Sequence, residues 1–422
     1  MRIITLLLIL FAPNMVQAQT VPPLTAEDAV ALVIKNNPRL SAVLRDANAA
    51  RSGVRSARAL VNPTFTLSPA VPNSNGSSDA VLFTQPLELN GTRSARTGIA
   101  SAQLRATQAK ALTELRELVF EVKTAYYEVI RERELLALAQ GLLKMTEELD
   151  ALTRRQVELG KRPGIDTAQT EIEVFRAQQQ ATQAEGRVKN TVIALNTLLN
   201  RKPDTPFGAL SSLPPPMPEN PDRDFLVRQA LVARAEVALE DAVRDSFLQE
   251  ARMARAEGRP DIAPMFRSNE LVRAVTPQDY GFGITITLPL LDWGSRRNRI
   301  RQAEESANAQ NDRLSAIRSQ IRQEVERSLT RLRTADTLLK SYRQGVLERA
   351  KRLLEASRTG LQEGQLSILS VLEAQRTYRT VQIEYVNAQA EYAQAVVELE
   401  RTLGTVPATL LPTFSQEVRR SK

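Results

Sequence analysis

The 422-residue sequence has no cysteine and no histidine. Without thiols there can be no disulfide, no thiolate nucleophile and no lipid anchor on an N-terminal cysteine. Without either residue type, Cys/His zinc sites and imidazole acid–base catalysis are also excluded. Aromatic residues are scarce, at 5%. No uninterrupted apolar run approaches the roughly 20 residues that a membrane-spanning helix requires. The longest, Ile3 to Ala12, follows Arg2 and is broken by Pro13 and Asn14. Val16-Gln17-Ala18 then offers a small-residue cleavage site before Gln19, so residues 1–18 read as a signal peptide. An exported chain without a spanning helix can sit in a bilayer only as a closed β-barrel.

What the chain has in quantity is Ala, Leu, Gln, Glu and Arg, a composition that favours long, closely packed helices. The net charge is +8, but acidic and basic residues are interleaved, as on solvated helix faces. There is no basic stripe with aromatics beside it, so nucleic acid is not an expected partner. No nucleophile–base pair, phosphate loop or metal cluster is visible, so neither catalysis nor a cofactor is expected.

A motif recurs about 200 residues along the chain, the mark of a duplication. Thr84-Gln85-Pro86-Leu87 with Gly91-Thr92-Arg93 and Arg96 returns as Thr287-Leu288-Pro289-Leu290 with Gly294-Ser295-Arg296 and Arg299. Upstream, Asn62-Pro63 is echoed by Arg259-Pro260. Downstream, Glu158-Leu159-Gly160-Lys161 is echoed by Gln362-Glu363-Gly364-Gln365. Each copy reads as a helix (residues 40–60 and 225–257), two strands (63–71 and 79–89; 261–268 and 280–291), a very long helix (92–159; 295–363) and a return helix (165–200; 368–403). In residues 282–288, Phe282, Ile284, Ile286 and Leu288 alternate with Gly283, Thr285 and Thr287. One face suits lipid and the other a wet lumen, although an ordinary half-buried hairpin has the same pattern. The first repeat spans residues 19–200 and the second 222–403. A proline-rich linker, 201–221, joins them, and a tail, 404–422, follows.

Each long helix runs on the order of 100 Å at about 1.5 Å per residue. Its apolar spacing is that of a coiled coil. Leu135, Leu138, Leu142, Met145, Leu149 and Leu152 step by three and four, and Leu332, Leu339, Val346 and Leu353 by seven. A second row, with Val119, Tyr126 and Ile130, implies neighbours on both sides, as in a wall of helices. Four strands cannot close a membrane barrel, which needs at least about eight, so several chains must contribute. Three would supply twelve strands and twelve helix cross-sections, although spacing alone does not fix the number.

The duplicated unit resembles the TolC family of outer-membrane efflux proteins over essentially the whole mature chain. The stretch from Gln85 to Arg93 is similar to the motif of the CzcC-type, heavy-metal branch, with Thr92 where that branch usually has lysine. The resemblance implies a mostly α fold with a small β part: a homotrimer with a twelve-stranded outer-membrane barrel continued by a periplasmic α-helical barrel. It implies contact with outer-membrane lipid, a periplasmic adaptor and an inner-membrane pump that delivers substrate, heavy-metal cations in that branch. Adaptor contact would fall on two tip turns, Gly160, Lys161, Arg162, Gly164 and Ile165, and Gly364, Gln365, Leu366 and Ser367. The family's gate carboxylates map to Ser370 and Glu373, of which only Glu373 keeps the acid. Read from the residues alone, Glu373 is equally an exposed carboxylate near a helix N-terminus, and Lys161 and Arg162 are solvated turn residues. A periplasmic coiled-coil adaptor or scaffold would also explain export and helices, but not the two hairpins.

Overall fold

The computed structural model describes residues 24–68, 80–208, 210, 214, 222–268 and 280–405. The expected signal peptide, most of the linker and the tail beyond residue 405 lie outside these. The elements are α1 (Ala26–Asn36), α2 (Pro38–Arg58), β1 (Thr64–Ser68), β2 (Ala80–Thr84), α3 (Thr92–Glu158) and α4 (Ile165–Leu198), then α5 (Arg223–Ala233), α6 (Ala235–Ala256), β3 (Asp261–Ser268), β4 (Tyr280–Thr287), α7 (Ser295–Ser341), a π-helical turn (Tyr342–Val346), α8 (Leu347–Gln362) and α9 (Ile368–Thr402). None of the described helices is long and apolar enough to cross a membrane.

Each copy opens with two helices: in the second they correct the single span expected over 225–257, and in the first α1 precedes the helix expected over 40–60. In the first copy the chain is extended at Asn37 (φ −78°, ψ 125°), whose side chain accepts from the Arg39 amide at 2.8 Å. In the second the same break falls at Arg234 (φ −76°, ψ 120°). Helix α1 was not foreseen. It starts at a capping box, in which the Thr25 hydroxyl accepts from the Asp28 amide at 3.0 Å and the Asp28 carboxylate accepts from the Thr25 amide at 3.1 Å. Its Ala26, Ala29, Val30 and Val33 are buried against α3 in a core that includes Leu115, Leu118, Val122 and Tyr126. The Tyr126 hydroxyl donates to the Leu24 carbonyl at 2.7 Å. Each buried Val or Leu here contributes roughly 1.5–3 kcal/mol. The second apolar row of α3 is therefore covered by a short helix.

The four strands form one antiparallel sheet in the order β1-β2-β3-β4, so the two hairpins pair through β2 and β3. Regular pairing stops at Thr84 and Thr287, short of the expected residues 89 and 291 and ahead of Pro86 and Pro289, which have no amide to donate; past Thr84 only the Gln85 and Leu87 amides still reach β3, at the Pro264 and Ile262 carbonyls. Helix α3 then starts after Gly91 (φ 98°) and α7 after Gly294 (φ 83°), left-handed positions that favour glycine. The motif arginines brace these junctions. Arg96 binds Glu88 with both terminal nitrogens, at 2.6 and 2.9 Å, and Arg299 reaches Glu257 at 2.6 Å.

The second long helix is interrupted where the heptad row crosses Gly345 (φ 142°, ψ −9°). A π turn inserts one extra residue. Leu332 and Leu339 are buried, but Val346 and Leu353 are exposed, and the buried row continues one residue later at Leu354 and Leu361. The heptad expected to run through Val346 and Leu353 is thus rephased by one position. On α9, Ala388, Tyr392, Ala395 and Leu399 are buried as their spacing implies.

Candidate functional site

Strand register places one phenylalanine from each strand side by side. Phe65 pairs with Phe83, Phe83 with Phe266, and Phe266 with Phe282. Directly paired residues point to the same face, so the row crosses the whole sheet. The Phe266 and Phe282 rings lie 5.2 Å apart. Phe282 is 90% exposed, Ile284 67% and Ile286 58%. The opposite face carries Thr64, Thr66, Thr84, Thr285 and Thr287. A water-soluble sheet buries its apolar face; this one leaves it exposed. Among the described residues, strands β1 and β4 each have an unpaired edge, and such an edge is untenable in lipid.

At the far end of the helices, the two tip turns share one backbone design. Gly160 (φ 68°) and Gly364 (φ 75°) each follow a helix C-terminus in left-handed conformation. The Lys161 amide donates to the Gln156 carbonyl at 2.9 Å and the Gln365 amide to the Gly360 carbonyl at 2.8 Å, the same six-to-one bond in both copies. The side chains differ. Arg162 is folded into its turn: it donates to the Gln156 side chain at 2.6 Å and to the Asp166 carboxylate at 3.3 Å. Lys161 and Ile165 are exposed and Gly164 opens α4. In the second turn Leu366 lies over Gly360, where a Cβ would fall 2.8 Å from the leucine Cδ1. Ser367 caps α9 by accepting from the Ser370 amide at 3.3 Å, and the two hydroxyls are 3.0 Å apart. Ser370 is thereby engaged in the cap, while Glu373 is exposed and has no cationic partner among the described residues.

Beneath the tips the two hairpins are joined. Leu149 of α3 packs with Leu361, Ile368, Val371 and Leu372. The Gln375 amide donates to the Thr146 hydroxyl at 2.9 Å, Arg379 donates to Gln180 at 2.9 Å, and Arg376 pairs with Glu173. These cross-copy pairs were not anticipated, since their members lie about 200 residues apart. The available signal was Gln375 itself, a polar residue one helical turn beyond Val371 and Leu372 on the apolar side of α9.

Midway along the wall, a chain of ions links the copies. Arg116 on α3 contacts Glu117 at 2.5 Å and Glu236 at 2.7 Å. Glu236 also binds Arg234 at 2.7 Å, and Arg234 pairs with Glu324 on α7. Glu117 continues to Arg401 at 3.3 Å, which binds Glu398 at 2.6 Å. Arg116 and Arg234 are buried. Burial opposes the Glu236 charge, but the hydrogen bond from Arg234 and the charges of Arg116 and Arg234 outweigh it and hold this carboxyl at about 2.

An open-edged sheet with an exposed apolar face, continued by paired long helices, is the architecture of an outer-membrane channel protein. A family model described as "Outer membrane efflux protein" matches residues 29–201 and 226–405, and the chain belongs to that family. It is 28% identical over 393 residues to the cobalt-zinc-cadmium resistance protein CzcC of Cupriavidus metallidurans, covering 90% of each chain. It is 22% identical to the outer membrane protein TolC of Vibrio cholerae, covering 88% of this chain and 89% of that one. Its fold matches a crystal structure of CusC with a TM-score of 0.78 at 16% identity, over 90% of this chain and 92% of the other. The CmeC outer membrane channel of Campylobacter jejuni gives 0.78 at 14% identity, over 94% and 90%.

Proposed function

We propose that three copies of this chain close into one conduit, a twelve-stranded barrel in the outer membrane continued by a helical tunnel in the periplasm. The observation that carries this reading is the sheet, whose outer face is apolar and whose two edges are open. Its four strands fall short of the about eight that a closed barrel needs, and three copies supply twelve. The same outward apolar face disfavours a periplasmic scaffold, which would leave it in water. Heat-modifiable oligomers in outer-membrane fractions are expected, and a soluble periplasmic monomer would sink the proposal.

The conduit works passively in a tripartite system, passing what an inner-membrane pump and a periplasmic adaptor deliver. The adaptor would meet the tip turns, with Lys161 and Ile165 exposed on the first and Gln365 and Leu366 on the second. At the tip, Glu373 from each chain would form a ring of carboxylates that favours cations, with Ser370 beside it. Heavy-metal cations are the proposed cargo, a reading supported by the likeness to a cobalt-zinc-cadmium resistance protein over 90% of the chain. A deletion strain tests it. Increased sensitivity confined to divalent metals supports this cargo, and sensitivity to hydrophobic drugs alone rejects it.

A further inference from the structure

The register that aligns the phenylalanines also fixes which side chains face the other way. One position along lies the row Thr66, Leu82, Arg267 and Gly281, each paired with the next across the sheet. Among the described residues of the four strands, the phenylalanine face bears no charge. The opposite face bears two charged side chains, Asp261 where the strands meet the helices and Arg267 at the far end. Six residues at about 3.3 Å each separate them by roughly 20 Å, close to the height of a barrel's apolar band.

Arg267 is exposed, and no carboxylate pairs with it among the described residues. Its ladder neighbours are Leu82, which is apolar, and Gly281, which has no side chain and has open space where a Cβ would be. A carboxylate directly across the ladder would stabilise an arginine on a sheet. None of the described residues neutralises this one, and its charge faces the side opposite the phenylalanine row.

We propose that Arg267 is a selectivity residue of the lumen: one per chain, it forms a cationic ring near the outer end of the barrel that favours anions and holds back cations. This rests on the barrel reading above and adds to it a charge preference opposite in sign to that of the Glu373 ring at the tip. A lumen bounded by twelve strands is wide, and at physiological ionic strength the Debye length is only about 8 Å. The ring therefore acts on ions near the wall under those conditions. Across the whole lumen it acts only at low salt, where the Debye length reaches about 30 Å at 0.01 M.

The test uses the full-length protein in planar bilayers, with reversal potentials measured across a potassium chloride gradient. At about 0.01 M salt, Arg267→Glu is expected to move the reversal potential toward cation preference and Arg267→Gln to move it part of the way. Arg267→Lys should leave it in place, and the differences should collapse at 1 M. The native chain has no cysteine, so an introduced thiol reports cleanly. Arg267→Cys should change its single-channel current on reaction with a cationic methanethiosulfonate, and Phe266→Cys, on the other face, should not. Channels whose reversal potential ignores residue 267 at low salt, or an Arg267→Cys channel inert to the reagent, would overturn the inference and leave the barrel standing. A wild-type protein that forms no channels at all would overturn both.

Discussion

The Thr146 hydroxyl on α3 accepts a hydrogen bond from the Gln375 amide on α9 at 2.9 Å, and both side chains are buried. Thr146 in turn donates to the Leu142 carbonyl at 2.8 Å. This bond joins the hairpin of one copy to that of the other just below the tips. If the tips are the gate, separating them breaks it. A buried bond of this kind contributes about 1 kcal/mol, or roughly a fivefold change in a closed-to-open ratio. Gln375→Leu should therefore raise the channel's open fraction in bilayers by about that factor. An open fraction equal to the wild type would mean that this contact does not restrain the tips.

Acid should act through Glu236. Its folded value of about 2 lies below the ordinary 4.5. The stabilisation is full above about 4.5 and is lost as pH falls through about 2. Thermal unfolding followed across this window should show a decline that Glu236→Gln largely removes. At neutral pH the same variant leaves Arg116 and Arg234 buried without this carboxylate and should cost about 3 kcal/mol. Identical pH profiles for wild type and variant would rule out Glu236 as the titrating group.

Two exposed apolar residues lie on α4, which packs on α3, and on α8, which packs on α9. Phe175 on α4 is 64% exposed and Leu353 on α8 is 50% exposed. Each lies roughly 15 Å from its own tip, at about 1.5 Å per residue. In a closed ring of identical subunits, one edge of each chain meets the opposite edge of the next. Oxidising a Phe175→Cys, Leu353→Cys double variant should yield covalent dimers and trimers on a denaturing gel, and neither single variant should. A product that stays monomeric would argue against this pairing of edges.

The long helices, their turning points and the strand pairs were legible in the sequence because each is written in local signals. Proline-free runs gave α3, α4 and α9 within about two residues, consistent with the usual fraying of helix ends. Period-two alternation gave the apolar and polar faces of β4. The unforeseen features depend on events between distant segments. The break at Arg234 interrupts good helix formers, and what holds the arginine is Glu324 on another helix as well as Glu236. Gln375 is buried by its bond to Thr146, a partner 229 residues away on another helix. Arg162 looked solvated, but Gln156 and Asp166 fold it into the turn.

The extra residue at the π turn has a mechanical consequence. A continuous rod about 100 Å long would carry any twist applied at its tip to its other end. Gly345 divides the second rod into two lengths out of phase, and the left-handed residue between them is where torsion is most easily absorbed. The first rod, α3, has no such joint. Twisting at the tip of this rod is thus expected to turn α8 against α7 at Gly345, while α3 and the strands at the far end keep their register.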